Sequence, residues 1–249
     1  MNNLKVSIIT VSYNSVNTIE RTIQSVISQT YDNIEYIIID GCSTDNTQEI
    51  IRRYESHISY WVSEADGGIY DAMNKGIKQA TGDIIGILNS DDRYHSDHII
   101  ETIVNKYSCS DCPCIIHGDI CYFTSDNSSF ILKPITRQDQ IRKEPTYLHP
   151  TMFVPRSFYV QYGKYDTGYK IAADYDMMLR LYLYGCKFIY IDYIIVDMYS
   201  GGESDKKRAI GFIESYRISR KGGTCLLPAL ATLFRRFVYT FINDIRNSI

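Results

Sequence analysis

Asp91 and Asp92 are adjacent carboxylates at the end of the apolar run Asp83–Leu88, directly after Asn89 and Ser90. Hard oxygen donors at an open site suit Mg²⁺ or Mn²⁺, which keep several waters and bridge to substrate phosphates. Two aspartates at a strand end also make an ordinary turn with a helix cap, so the pair alone leaves both readings open. Upstream, residues 64–76 read EADGGIYDAMNKG. Gly67 and Gly68 let the backbone approach a ligand closely. Lys75 lies about two turns into the helix that follows, where it reaches a phosphate or stays solvated. Two further polar clusters close apolar runs: Thr10-Val11-Ser12-Tyr13-Asn14, and Asp40. The turn after the first run has no glycine, so a G-x-G-x-x-G dinucleotide fingerprint is absent, and no G-x-x-x-x-G-K-[ST] loop occurs anywhere.

The elements that must position these residues follow from periodicity. Lys5–Val11, Ile34–Ile39, Ile58–Val62, Asp83–Leu88 and Pro113–His117 read as strands. Between them lie helices of about 12 residues. One is capped by Asn17 and carries Ile19, Ile23, Val26 and Ile27 on one face; one is capped by Ser43-Thr44-Asp45; one spans Ile69–Gln79; one opens at Asp97. Alternating strands and helices predict parallel βαβ units, hence an α/β fold. Ligands of such sheets bind beyond the carboxyl ends of the strands, where all three polar clusters fall. Past residue 120 the pattern weakens to a hairpin over Tyr122–Ile135, an extended piece in Tyr147–Val154, a helix Asp174–Tyr184 closed by Gly185, and a strand Lys187–Ile191. Trp61, in a strand, is expected in the core.

The chain has 249 residues, 45% hydrophobic and 22% charged, which excludes a disordered or fibrous protein. Its net charge of −3 divides unevenly: residues 206–249 carry +7 and residues 1–205 carry −10. Asp205–Lys221 predicts a charged amphipathic helix. Cys225–Arg246 is apolar except for a seam at Thr232, Arg235, Arg236, Thr240, Asn243 and Arg246. Its apolar stretch before the arginines is about ten residues, short of the roughly 20 that span a bilayer. A helix lying in a membrane interface is expected, the alternative being one packed on the body or another subunit. No signal peptide precedes the first strand, so a cytoplasmic protein with reduced thiols is expected. Cys109, Cys112, Cys114 and Cys121 raise a zinc site, but their spacing is irregular.

Taken together, SIITVSYNS (7–15), DGCSTDNT (40–47), EADGGIYDAMNKGIKQATGD (64–83) and LNSDD (88–92) resemble the inverting bacterial glycosyltransferases of family 2, which have the GT-A fold. HPTMFVPR (149–156), AADYDMMLRLYLYG (172–185) and MYSGGES (198–204) continue the likeness, nearest to the sugar transferases of colanic-acid and O-antigen synthesis. The resemblance implies that Thr10, Ser12 and Tyr13 line the base and ribose pocket and that Asp40 binds the base edge. It puts Asp66, beside Gly67, on the nucleotide-sugar, Asp91 on the ribose or sugar, and Asp92, with Asp91, on a Mn²⁺ or Mg²⁺ ion bridging the diphosphate. Asn89 replaces the first aspartate of the usual D-x-D, which leaves the division between Asp91 and Asp92 open. Asp174 matches the general base, with Asp176 as fallback, and Gly201 and Gly202 match a mobile segment over the donor phosphates. His149, held extended by Pro150, is a candidate for acceptor or phosphate contact or for a structural hydrogen bond.

The implied organisation is a GT-A domain over residues 1–204, with a nucleotide-sugar half (1–120) and an acceptor half (121–204), followed by a basic helical tail (205–249). The implied reaction is transfer of one sugar, from UDP-hexose or UDP-N-acetylhexosamine, or from GDP-fucose, to an undecaprenyl-diphosphate-linked saccharide. This places the protein at the inner-membrane surface in O-antigen, capsule or exopolysaccharide synthesis; nucleic acid is not an implied partner. A sugar-nucleotidyltransferase would carry a glycine-rich basic loop after the first strand, which TVSYNS lacks. A non-catalytic nucleotide-binding module remains the other alternative.

Overall fold

A computed structural model of the chain describes residues 4–126, 128–135, 138–202 and 206–246. In chain order the elements are β1 (Val6–Ser12), α1 (Ile19–Ile27), β2 (Ile34–Asp40), α2 (Thr47–Arg53), β3 (Tyr60–Ser63), α3 (Ile69–Gln79), β4 (Ile84–Asn89), β5 (Arg93–Tyr94) and α4 (Ile99–Ser108). There follow β6 (Cys114–Phe123), β7 (Ser129–Leu132), β8 (Phe153–Pro155), α5 (Arg156–Tyr162), α6 (Ala173–Leu183), β9 (Lys187–Tyr199), α7 (Arg208–Lys221) and α8 (Leu226–Arg246).

The strands form one mixed sheet in the order β3-β2-β1-β4-β8-β6-β9-β5, with β7 attached to β6. The first four are parallel, and their register pairs Ser12 with Asp40 and Val11 with Asn89. β1, β2 and β4 therefore end level, and their three polar clusters share one edge. Both faces of this part are covered, as parallel strands require. Ile9, Val11, Ile37 and Ile39 pack with α3 and α6 on one face; Val6, Ile8, Tyr36 and Ile38 pack with α1, α2 and α4 on the other. β8 joins antiparallel to β4. Gly86 makes this possible, because a Cβ there would fall 2.7 Å from the Phe153 ring.

Several boundaries differ from the expected ones. α1 begins after Thr18 with no side-chain cap, so Asn17 does not cap it. α2 begins after Asn46, and Asp45 accepts the Thr47 N–H at 3.0 Å. The strand expected over Lys187–Ile191 runs on to Tyr199, because β9 resumes pairing with β6 past an irregularity at His117–Ile120. The hairpin appears as β6 and β7, with Tyr122 opposite Phe130 and Asn127 outside the described residues. Trp61, in β3, is half-buried: it packs against the rim of the core and donates to Glu55 at 3.2 Å, so it is a peripheral core residue and not a fully buried one. Cys109 and Cys112 are exposed and Cys114 is buried. Among the described residues no three His, Cys, Asp or Glu side chains gather as a metal ion requires, and the zinc reading gains no support.

The charged helix begins at Arg208; Glu203, Ser204 and Asp205 lie outside the described residues, as do the side chains of Thr240, Asn243 and Arg246. α7 sends Ile218 into the core shared with α6. α8 lies on α7, with Ala229 buried and Phe237 edge-on to Phe212 at 5.2 Å. Among the described residues, no helix is long and apolar enough to cross a membrane.

Candidate active site

At the level ends of β1, β2 and β4 the backbone turns sharply. Asn14 and Cys42 adopt left-handed conformations, φ 48° and 63°, a strain that side chains tolerate where the surroundings fix it. The Asn14 carboxamide accepts the Thr44 N–H at 2.9 Å and ties the two turns together. Asp40 is fully buried; it accepts the Ser43 N–H at 2.9 Å and the Ser63 hydroxyl at 2.6 Å. Ser12 is nearly as buried, and its hydroxyl has no partner among the described residues. Tyr13 is 64% exposed beside them. Thr10 stands apart: its hydroxyl lies 3.1 Å from the Tyr36 hydroxyl inside the core, so its side chain does not line the cleft.

Asp66 crosses the end of β2 at Gly41, where a Cβ would fall 2.5 Å from the Asp66 Oδ2. Its other oxygen accepts the Gly68 N–H at 2.8 Å, while Asp71 accepts the Gly67 N–H at 3.0 Å. Gly68 has φ +117°, a conformation that favours glycine. Lys75 donates to the Ala65 carbonyl at 2.9 Å and pairs with Glu64 at 2.9 Å. In this structure Lys75 therefore braces the Gly67–Gly68 loop.

Asp92 is fully buried. Its Oδ2 accepts from Asn89 at 3.1 Å, but its Oδ1 and the Asn89 Oδ1 have no partner among the described residues. Burial, reinforced by Asp91, holds the Asp92 carboxyl well above the usual carboxylate range. Burial also raises Asp91, against the opposing charges of Arg21 and Lys206. Unpartnered hard oxygens with too little countercharge fit a divalent cation, whose remaining positions would fall to substrate oxygens and water. Arg21 donates to the Asp91 carbonyl at 2.6 Å and lies over the Tyr199 ring at 3.7 Å. Tyr199 leads into Gly201, with φ +98°, and Gly202, where a Cβ would lie 3.3 Å from Asp91 Oδ2. The fold thus brings the Gly201–Gly202 turn onto Asp91.

Asp174 sits in the first turn of α6, half-buried. Its Oδ1 accepts the Tyr175 N–H at 2.8 Å and lies 3.2 Å from the Tyr70 hydroxyl, which donates to the Ile171 carbonyl at 2.7 Å. Tyr70 belongs to α3, two residues past Gly68, so one side chain links the donor loop to Asp174. Tyr70 stacks on Tyr165 at 5.6 Å, and the Tyr165 hydroxyl lies 2.7 Å from His149 Nε2. Burial holds His149 below its usual pKa, with Asp174 opposing. Asn74 fixes Tyr165 by a reciprocal pair, accepting its N–H at 3.0 Å and donating to its carbonyl at 2.9 Å. Asp176 does not share this cluster. Two residues along a helix is more than half a turn, and Asp176 instead lies 3.4 Å from Arg180, beside a separate cavity of about 410 Å³.

Sequence reasoning missed Tyr70, Asn74 and Tyr165, although Tyr70 and Asn74 lie inside the EADGGIYDAMNKG string. It also missed Glu214. This buried carboxylate of α7 accepts the N–H groups of Lys170, Ile171 and Ala172 at 2.9, 2.9 and 3.0 Å. α6 has no N-cap side chain of its own, so Glu214 holds the segment that delivers Asp174.

Comparison with known proteins bears on the family and the fold. An uncharacterized glycosyltransferase of Mycobacterium tuberculosis is 33% identical over 181 residues, which cover 70% of this chain and 68% of that protein. S. aureus TarS residues 1–349, solved in complex with UDP, superposes with a TM-score of 0.69 at 17% identity, covering 99% of this chain and 75% of that one. Against a longer TarS chain the match covers only 39% of TarS. The mannosyltransferase PcManGT of Pyrobaculum calidifontis, solved with GDP-Man and Mn²⁺, gives 0.70 at 17% identity, covering 93% of this chain and 68% of that one. These structures share the GT-A fold with this protein. The sequence profile of Glycosyl transferase family 2 matches residues 7–161, from β1 through the Asp66 loop and the aspartate pair into α5, and by that match the chain belongs to glycosyl transferase family 2.

Proposed function

We propose that the protein transfers one sugar, with inversion, from a UDP-hexose or UDP-N-acetylhexosamine to a lipid-linked saccharide at the inner-membrane surface, in assembly of an O-antigen, capsule or exopolysaccharide. The observation that supports this reading is Tyr70, which follows the Gly67–Gly68 loop and whose hydroxyl bonds the Ile171 carbonyl at 2.7 Å and lies 3.2 Å from the Asp174 carboxylate. The acceptor hydroxyl oxygen attacks the anomeric carbon as the bond to the nucleoside diphosphate breaks. Asp174 takes the hydroxyl proton, and the nucleoside diphosphate leaves with the bonding pair. A positioned general base contributes about 10²–10⁴-fold. Ser12, Tyr13, Asp40 and Asp66 would hold the nucleotide. Asp92 and Asp91 would hold Mn²⁺ or Mg²⁺, which supplies positive charge at the departing diphosphate. UDP is taken as the base because a GT-A neighbour was solved with it at near-full coverage of this chain; the GDP-Man neighbour makes GDP the comparison donor.

The membrane reading rests on α8. Leu227, Leu230, Phe234 and Val238 recur at three- and four-residue spacing, and all are exposed. A basic, apolar-faced helix of this kind binds anionic lipid surfaces. A screen of UDP- and GDP-sugars for nucleoside diphosphate release with Mn²⁺ identifies the donor. Asp174→Asn then lowers turnover by at least about 10²-fold with UDP binding unchanged. Full turnover in this variant would remove Asp174 as the base.

A further inference from the structure

Beside Asp174 lies a cavity of about 220 Å³ whose walls include Tyr175, Phe212, Arg208 of α7 and Arg236 of α8. None of the donor-cleft aspartates lines it. The two cations thus reach Asp174 from the C-terminal helices, opposite in sequence to the donor motifs. Arg236 is half-buried, and its guanidinium carbon sits 4.3 Å from the centre of the Phe212 ring. Among the described residues it has no hydrogen-bond or ion-pair partner. Its neighbour Arg235 is spent differently, on Glu144 at 2.6 Å. A guanidinium half withdrawn from water, which feels Glu144 and Asp174 only through their charge and makes no hydrogen bond to them, keeps its donors for a ligand. Burial lowers the Arg236 pKa.

The helix that carries Arg236 adds the second constraint. Arg236 and the buried Ala229 are seven residues apart and share one side of α8, while Leu227, Leu230, Phe234 and Val238 occupy the other. A helix with its side chains is about 10–12 Å across. If the exposed stripe lies in the acyl boundary, the cavity stands one helix diameter away, at the depth of phosphate groups. Guanidinium forks match phosphate oxygens in bidentate fashion.

We infer that the Arg208–Arg236 cavity is a second anion site, which receives the phosphate of a lipid-borne acceptor and so delivers the acceptor sugar to Asp174. This inference rests on the proposed role of Asp174 and on the interfacial reading of α8. Donor and acceptor phosphates would then be held at separate places, the first by the aspartate pair and its cation, the second by arginine.

The test is calorimetric titration of the full chain with farnesyl diphosphate, in saturating UDP and Mn²⁺ so that the donor site is filled. Farnesol is the uncharged control. Farnesyl diphosphate should bind at least about tenfold more tightly than farnesol. Arg236→Gln and Arg208→Gln should each weaken it by about tenfold or more, as expected for loss of a charge-assisted hydrogen bond. Arg236→Lys should retain part of the affinity, and UDP affinity should stay unchanged in all three. Co-sedimentation of Arg236→Gln with phosphatidylglycerol vesicles should match the wild type. Equal binding of farnesyl diphosphate to wild type and Arg236→Gln would overturn the inference. So would loss of vesicle binding alone, which would make Arg236 a headgroup contact. Because the titration needs no turnover, it decides the anion site even if Asp174→Asn proves active and the base reading fails.

Discussion

Removing Glu214 tests whether the C-terminal helices build the active site or merely decorate it. The Glu214 carboxylate, 6% exposed, takes three consecutive backbone N–H groups in the turn before α6. In Glu214→Ala all three lose their acceptor. Ala172 is buried, so its N–H finds no water; Lys170 is exposed and Ile171 half-buried, and both recover part of their bonding. With an unmet buried donor costing about 1–3 kcal/mol, the expected destabilisation is roughly 2–5 kcal/mol. Glu214→Gln keeps one carbonyl oxygen for Ile171 and Ala172 and sets an NH₂ group against the Lys170 N–H. It also removes a negative charge from the N-terminal end of α6, where the helix dipole favours one. Its cost should be about 1–2 kcal/mol.

The functional consequence is displacement of Asp174, since the released segment ends at the first turn of α6. A misplacement of about 1 Å in a reacting group can cost about 10²-fold in rate. Chemical denaturation gives the stability change, and nucleoside diphosphate release from the donor gives turnover. UDP affinity is the control, because Asp40, Asp66 and the aspartate pair are held by other elements. Glu214→Gln should stay folded, lose turnover by about tenfold to a hundredfold, and keep UDP affinity within about twofold. Wild-type turnover in Glu214→Gln, or an unchanged denaturation midpoint in Glu214→Ala, would refute the reasoning.

Three other perturbations give distinct signs. Asp92→Asn should lose Mn²⁺-dependent UDP binding yet stabilise the metal-free fold by about 1–2 kcal/mol, because it neutralises a fully buried carboxyl with an unpartnered oxygen; metal titration and thermal melting read the two effects. His117 is buried among Tyr147, Phe188 and Tyr190, and burial lowers its pKa to about 4. An imidazole kept neutral in the fold but protonated in the unfolded chain contributes stability that is complete above about pH 6.5 and lost as pH falls towards 4, on the order of 3 kcal/mol; denaturation across that window should flatten in His117→Leu. Leu227→Glu combined with Phe234→Glu charges the exposed stripe of α8 without touching the core, so sedimentation with anionic vesicles should fall while the melting temperature stays constant.

The donor half was legible because its chemistry is local. The strings at 10–14, 40–47, 64–76 and 88–92 each end one strand or open one helix, and parallel pairing brings strand ends level whatever the side chains are. Thr10 shows the limit: it lies two residues inside β1, within the sheet, so its polarity serves Tyr36 rather than a ligand. Asp174 came from the resemblance, with Asp176 as fallback; helical spacing sends the two to different sides of α6. The support of Asp174 was not legible. Tyr70 and Asp174 are 104 residues apart and Glu214 lies 42 to 44 residues from its partners. Glu214 bonds backbone N–H groups, which every residue offers and no motif announces. The far half of β9 was hidden because Asp192 and Asp197 interrupt its apolar run; Asp197 is buried there and is paired with Arg93 and His95 at 2.8 and 2.6 Å.

The uneven charge of the chain acquires a reason from the way its cations are used. On the proposed function, a nucleoside diphosphate must enter a body that carries −10. Of the cations at the donor cleft, Lys75 is engaged by Glu64 and the Ala65 carbonyl, and Arg21 by the Asp91 carbonyl and the Tyr199 ring. Both shape the loops; on the proposed function the countercharge for the diphosphate comes from a divalent ion on Asp91 and Asp92, with Lys206 adding positive charge near Asp91. Near Asp174 the arrangement differs: the cavity there is lined by two guanidinium groups of a tail carrying +7, and Asp174 is the one carboxylate among its lining residues. The difference has a chemical logic. The donor diphosphate gains negative charge in the transition state, so a close point charge at that end accelerates bond breaking. The acceptor phosphate keeps its charge throughout, so arginine at that end contributes only binding and orientation. A metal is thus useful on one side of Asp174 and redundant on the other, which is how the residues are distributed.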